Sequence, residues 1–151
     1  MLTIERAGIE AIDTAMIVMR EAFDPRYGEA WTPSQCTGVL VMPGSALLIA
    51  RDPAPCGFAL VRVVLDESEL MLIAVRPQAR GRGIGRALLR ETFALAAGRG
   101  AAACFLEVRG DNPAIALYES EGLVCVGRRQ SYYRGNDGAT RDAMTFRRTL
   151  A

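Results

Sequence analysis

Apolar residues in the N-terminal part of the chain recur at the spacing of a helix face. Ile9, Ile12, Met16, Met19 and Phe23 step by three and four positions, which is one side of an amphipathic helix. A short strand at residues 2–6 precedes it, and Asp24-Pro25-Arg26-Tyr27-Gly28 ends it. Trp31-Thr32-Pro33-Ser34 opens a loop and a second short helix reaching about Met42, with Pro43-Gly44 as a turn. The pattern then becomes that of strands, at residues 46–51, 57–65 and 69–75, separated by Asp52-Pro53-Ala54-Pro55 and Asp66-Glu67-Ser68. Such spacing predicts an antiparallel meander.

Beyond residue 76 the period changes again. A helix is predicted over residues 83–97, stopped by Gly98-Arg99-Gly100. Residues 102–108 form an apolar run expected of a strand buried on both faces. A short helix follows Asp111-Asn112-Pro113 and runs to Glu121. Residues 123–132 and 142–149 read as two last strands around Gly135-Asn136-Asp137-Gly138. The order β-α-α-β-β-β-α-β-α-β-β predicts a mixed sheet with helices on both faces. At 151 residues, with no linker or repeat, the chain is expected to form a single domain, residues 1–151.

Composition removes several kinds of chemistry. The chain has no histidine, and all 18 of its basic residues are arginine. Histidine bases, Ser-His-Asp nucleophiles, His-ligated zinc and lysine Schiff bases are therefore excluded. Cys36, Cys56, Cys104 and Cys125 form no C-x-x-C pair; they read as reduced and mostly buried, and no metal is expected. The N-terminus lacks the features of a signal peptide and no apolar run is long enough to span a bilayer. A cytoplasmic protein without membrane association is expected.

The net charge of +1 conceals an asymmetry. Residues 1–75 carry 5 Arg against 10 acidic residues, whereas residues 76–151 carry 13 Arg against 7. The positive half suits a multiply phosphorylated ligand. The overall balance argues against direct nucleic-acid binding, and the arginines at 128, 129, 134, 141, 147 and 148 read as a solvated face.

That positive half opens with Arg80-Gly81-Arg82-Gly83-Ile84-Gly85-Arg86, between the strand Leu70–Val75 and an apolar helix. Strand, glycine-rich turn and helix N-terminus together suit a phosphate, because the unpaired N–H groups of the first helical turn and the helix dipole both favour an anion. A tight structural turn is the alternative reading. No Gly-Lys-Ser/Thr closes the loop as a P-loop requires, and the glycine spacing does not match the dinucleotide fingerprint.

With these residues, the chain resembles the GNAT superfamily of acetyl-CoA-dependent N-acetyltransferases. Residues 80–85 look like that family's pyrophosphate loop, Arg/Gln-x-x-Gly-x-Gly/Ala. Within the superfamily, Ile73-Ala74-Val75, Leu106-Glu107-Val108-Arg109, Ala116-Leu117-Tyr118-Glu119-Ser120, and Tyr132-Tyr133 followed by Asp142-Ala143-Met144 are similar to the bacterial ribosomal-protein alanine N-acetyltransferases. Trp31-Thr32 stands where those have Pro-Trp-Ser. The spacing from Asn112 to Tyr118 is one residue shorter than the family's Asn-x-x-Ala-x-x-Leu-Tyr, so either Asp111 takes the asparagine's place or the turn is tighter. Leu123 replaces a common phenylalanine.

The resemblance implies an α/β fold with a mixed, mostly antiparallel central sheet. It implies acetyl-CoA as co-substrate, held by the backbone of Ile73, Ala74 and Val75, by the loop Arg80, Gly81, Arg82, Gly83, Ile84, Gly85 and Arg86, and by Asn112. Glu107 would be the general base and Tyr118 the general acid. Trp31, Tyr132 and Tyr133 would line a groove for the acceptor. That acceptor would be a primary amine, foremost a protein N-terminal α-amine such as that of a ribosomal protein. A small-molecule amine, or a catalytically silent acyl-CoA-binding module, are the alternatives. The residues also admit structural readings. Glu107 could lie exposed at a strand end or pair with Arg109; Tyr118 could rest its hydroxyl on a carbonyl; Tyr132 and Tyr133 could be strand packing.

Overall fold

The structure is a computed structural model and describes residues 1–150. Its centre is a seven-stranded sheet. β1 (Thr3–Ala7), β2 (Ser45–Arg51), β3 (Pro55–Val64) and β4 (Glu67–Val75) run antiparallel in sequence order. β5 (Ala103–Arg109) lies parallel to β4, and β7 (Thr140–Thr149) separates it from β6 (Val124–Arg134) at the outer edge. α1 (Ile12–Ala22) and α2 (Pro33–Leu40) cover one face, and α3 (Ile84–Gly98) and α4 (Ile115–Ser120) lie on the other. The predicted meander and the mixed sheet are both present, with boundaries shifted by a few residues at most.

Strand alternation sorts side chains into two cores. Leu47, Ile49, Phe58 and Leu60 pack under α1 with Met16 and Met19. Leu48, Ala50 and Ala59 face α3 with Leu88, Leu89 and Phe93. Ile9 departs from the predicted stripe and is exposed, because residues 9–11 form a separate 3-10 turn whose tighter period takes Ile9 out of line with Ile12. α2 begins with a capping box: Thr32 Oγ1 accepts from the Gln35 N–H, and Gln35 Oε1 accepts from the Thr32 N–H.

β4 contains the irregularity that matters most. Leu60 pairs with Leu72 while Val61 pairs with Leu70, so Met71 is an extra residue in β4. This bulge reverses the alternation, placing Leu70 in the α3-side core and Leu72 and Ala74 in the α1-side core. β4 pairs with β5 only over Glu67–Glu69 against Ala103–Phe105. Beyond the bulge the two strands separate, since a bulge bends and twists the strand that carries it.

β5 is buried on both faces at its ends but not along its whole length. Cys104, Leu106 and Val108 on one face and Ala103 and Arg109 on the other are buried, whereas Phe105 and Glu107, between those two, are half-buried. The α1–α2 layer packs over β2, β3 and β4, leaving this side of β5 open. Cys36, Cys56 and Cys104 are buried free thiols, as expected, and Cys125 is exposed.

Candidate active site

The separation of β4 from β5 opens a cleft holding two cavities. The larger, about 690 Å³, extends from the Ile73–Val75 segment past the glycine-rich loop to α4. The smaller, about 320 Å³, lies between Trp31, Glu107 and Tyr133. Phe23, Glu29, Ile73, Asn112 and Tyr118 line both, so these residues mark where the cavities meet.

One wall of the larger cavity is a strand edge. The Arg76 N–H donates to the Cys56 carbonyl at 2.8 Å, continuing the ladder in which Val75 faces Gly57. Antiparallel alternation then turns the N–H and C=O of Ala74 toward β3, and those of Ile73 and Val75 toward the cleft. Ile73 and Val75 thus turn backbone groups toward a ligand, while Ala74, which also lines the cavity, turns its own toward β3.

The loop that follows has the conformation its glycines allow. Gly81 and Gly83 have φ of +81° and +79°, the left-handed region, and a Cβ at either would meet nothing within 4 Å. Gly83 is the N-cap of α3 and no side chain caps the helix, so the first-turn N–H groups have no side-chain acceptor. Gly85 serves packing instead: a Cβ there would come within 3.1 Å of Leu117 on α4. Arg80, Gly81, Gly83, Ile84, Gly85 and Arg86 line the cavity, whereas Arg82, also expected there, does not. Arg80 donates to the carbonyls of Val75 and Ala22, tying the loop to the end of α1. Arg86 reaches Ser120 and Glu121 near the end of α4.

These features fit a long ligand that carries phosphates and an amide-bearing arm. An open strand edge can pair an amide-bearing arm, and an uncapped helix start beside arginines can take a pyrophosphate. Tyr118 stands where the two cavities meet. It is buried, its ring packs edge-on against Phe146 with centroids 6.5 Å apart, and its hydroxyl has no hydrogen-bond partner among the described residues. The reading that rests this hydroxyl on a carbonyl is therefore set aside. Burial, with Glu29 nearby, pushes its pKa up to about 12, so it carries its proton throughout the neutral range.

Glu107 faces the smaller cavity. Tyr133 donates to its Oε1 at 3.3 Å, and Arg129 lies 3.5 Å from its Oε2. The anticipated alternative partner, Arg109, is instead buried between Glu29, at 2.5 Å, and Asp111. Tyr133 and Trp31 line this cavity as expected, but Tyr132 does not. Neighbours in a strand face opposite sides, and Tyr132 lies exposed with Arg129 over its ring. Asn112 reaches both cavities while its Oδ1 accepts from the Ala114 N–H at 2.9 Å. Asp111 lines neither and is held by Arg109 and Arg141. The turn before α4 is thus the tighter one, with Asn112 at the cleft.

Two features escaped the sequence. The Tyr27 ring stacks beneath Arg109 at 3.5 Å and near Arg141 at 4.7 Å, so Arg141 is not part of a solvated face. Asn136 donates to the carbonyls of Arg26 and Pro25 at 2.7 and 2.5 Å. Together these contacts clamp the α1–α2 loop onto the β6–β7 hairpin. Glu29, on the same loop, is the second. Burial raises its pKa, with Arg109 opposing and Asp111 adding to the rise. A glutamate in a polar loop carries no periodic signal that would single it out.

This architecture is that of an acyl-CoA-type transferase, and the chain belongs to the acetyltransferase (GNAT) family, whose model matches residues 12–123. It is 48% identical over 91 residues to the ribosomal protein bS18-alanine N-acetyltransferase of Escherichia coli K12. That stretch spans 60% of this chain and 62% of the relative, less than two thirds of the latter's length. It is 41% identical over 126 residues to the N-alpha-acetyltransferase RimI of Mycobacterium tuberculosis, covering 80% and 76% of the two chains. The crystal structure of the ribosomal-protein-S18-alanine N-acetyltransferase from Escherichia coli superposes with a TM-score of 0.90 at 31% identity, over 100% of this chain and 95% of that one. No helix among the described residues is long and apolar enough to cross a membrane.

Proposed function

We propose that this protein transfers the acetyl group of acetyl-CoA to the N-terminal α-amine of a protein, of the ribosomal-protein alanine type, in the cytoplasm. The observation that carries the reading is the meeting of the two cavities at Tyr118: an anion-ready channel on one side and a short carboxylate-bearing cavity on the other. The relatives' names supply the acceptor class. The clamp of the α1–α2 loop onto the β6–β7 hairpin favours an acceptor that enters as a chain end.

The pantetheine arm would lie along Ile73 and Val75, with Asn112 beside it, and the pyrophosphate on the N–H groups from Gly81 to Arg86. An amine attacks a thioester only when neutral. An α-amino group, with a pKa near 7.7–8.0, needs far less help than a lysine side chain near 10.4. Glu107, directly or through water, would accept its proton. Tyr118 would act on the leaving sulfur. With its pKa near 12 against about 8.5 for a thiol, complete transfer of its proton is uphill by roughly 5 kcal/mol. Its main contribution is then a hydrogen bond to the developing thiolate.

The test is turnover with acetyl-CoA on alanine-starting peptides, N-acetylated controls, spermidine and an aminoglycoside, with mass mapping of the product. Acetylation at the peptide α-amine supports the reading. Turnover on the small amines alone makes this a small-molecule transferase. A measurable acetyl-CoA Kd with no turnover makes it a silent binder.

A further inference from the structure

The proposed base, Glu107, lines only the acceptor cavity. Glu29 lines both cavities and is the one carboxylate at their junction. Its side chain is 17% exposed. The Arg109 guanidinium binds its Oε1 at 2.5 Å, while Oε2 has no protein partner and is not sealed from the cavity. Arg109 is itself fixed by Asp111 and by the Tyr27 ring, so the carboxylate is aimed rather than free to swing.

The chemistry supplies a task for a second carboxylate. At neutral pH an α-amine arrives largely as an ammonium ion. Conversion of R-NH3⁺ and a thioester into an amide and a thiol removes two protons from nitrogen. The C–N bond forms as the C–S bond breaks, the thiolate ends as a thiol with one of those protons, and the other leaves to solvent. We propose that Glu29 is a second catalytic carboxylate, which binds the incoming ammonium and accepts its first proton, leaving the second to Glu107.

This rests on the amine-transfer reading above but not on which amine is used. The groups facing Glu29 are Arg109 and Asp111 from β5 and the turn after it, Tyr118 from α4, Tyr133 from β6 and Arg141 from β7. Burial dominates their combined effect and raises its proton affinity. That direction suits a proton acceptor.

The experiment compares wild type with Glu29→Gln and Glu29→Asp on whichever amine of the acceptor panel the wild type acetylates, across pH. Glu29→Gln retains an oxygen for Arg109. Its kcat/KM should fall at least about tenfold near pH 6.5, within the range of a positioned proton acceptor. The deficit should shrink to under about threefold near pH 9, where the amine arrives neutral. Glu29→Asp should recover part of the loss at low pH, and acetyl-CoA Kd should stay within about twofold of wild type for both. A deficit independent of pH, or none at all, overturns the proposal, as does a wild type that acetylates no amine. Transfer to spermidine rather than to peptides would sink the N-terminal reading and leave the Glu29 comparison intact.

Discussion

At the scale of single residues, Glu107 and Tyr118 carry separable expectations. Glu107→Gln should lower kcat/KM by roughly 10²–10⁴ while leaving acetyl-CoA affinity nearly unchanged, since the carboxylate faces the acceptor cavity. Wild-type rates at neutral pH would reduce Glu107 to a partner of Tyr133 and Arg129. Tyr118→Phe keeps the ring on Phe146 and removes a hydroxyl without a protein partner. Its melting temperature should hardly move while kcat drops at least about tenfold; a lower melting temperature with unchanged kcat would make the hydroxyl structural. Because this phenol titrates only near 12, the pH–rate profile should show no basic limb from it below about pH 11. Glu107 was legible in the sequence through the Leu106-Glu107-Val108-Arg109 motif that carries the family resemblance. The pairing of Glu29 with Arg109 was not: a buried ion pair joining residues 80 positions apart leaves no local trace.

At the scale of elements, the loop and helix α3 give contrasting glycine variants. Gly83→Val forces a β-branched residue into the left-handed region where there is no steric obstacle. It should abolish acetyl-CoA binding for roughly 1–3 kcal/mol of stability. Gly85→Val drives a side chain into Leu117 and should destabilise by about 1–3 kcal/mol through overpacking of α3 against α4. Equal acetyl-CoA Kd for Gly83→Val and wild type in calorimetric titration would refute the phosphate role of the loop. Thr32→Ala removes the α2 cap and should cost about 0.5–2 kcal/mol. Element boundaries were readable because caps, glycines and periodicity coincide. The bulge at Met71 was hidden, since Leu70–Val75 is apolar at every position and a shift of one residue leaves an unbroken run looking the same.

At the scale of the molecule, charge governs both binding and acid stability. Acetyl-CoA affinity should weaken as salt is raised, because the arginines near the loop act across solvent. The loop–hairpin clamp should loosen in acid. Arg141 and the Ala139 N–H hold the Asp137 carboxyl at about 2, below the roughly 3.9 of an unfolded aspartate. A depressed carboxyl contributes stability above the unfolded value and loses it as pH falls toward the folded one. The melting-temperature difference between wild type and Asp137→Asn should thus be present at pH 5 and fade as the pH falls from about 4 to about 2.

The parting of β4 from β5 has a consequence for how copies of this chain behave together. Strand edges recruit other strands, and proteins usually blunt them at the surface with charge, as β6 does with Arg128, Arg129 and Arg134. The two edges made by the bulge lie inside a crevice between helical layers, under a clamped loop. A flexible arm or a peptide end can reach them; the rim of a neighbouring sheet cannot. The protein can therefore keep hydrogen-bonding edges open for passing ligands without those edges becoming a seam along which it would polymerise.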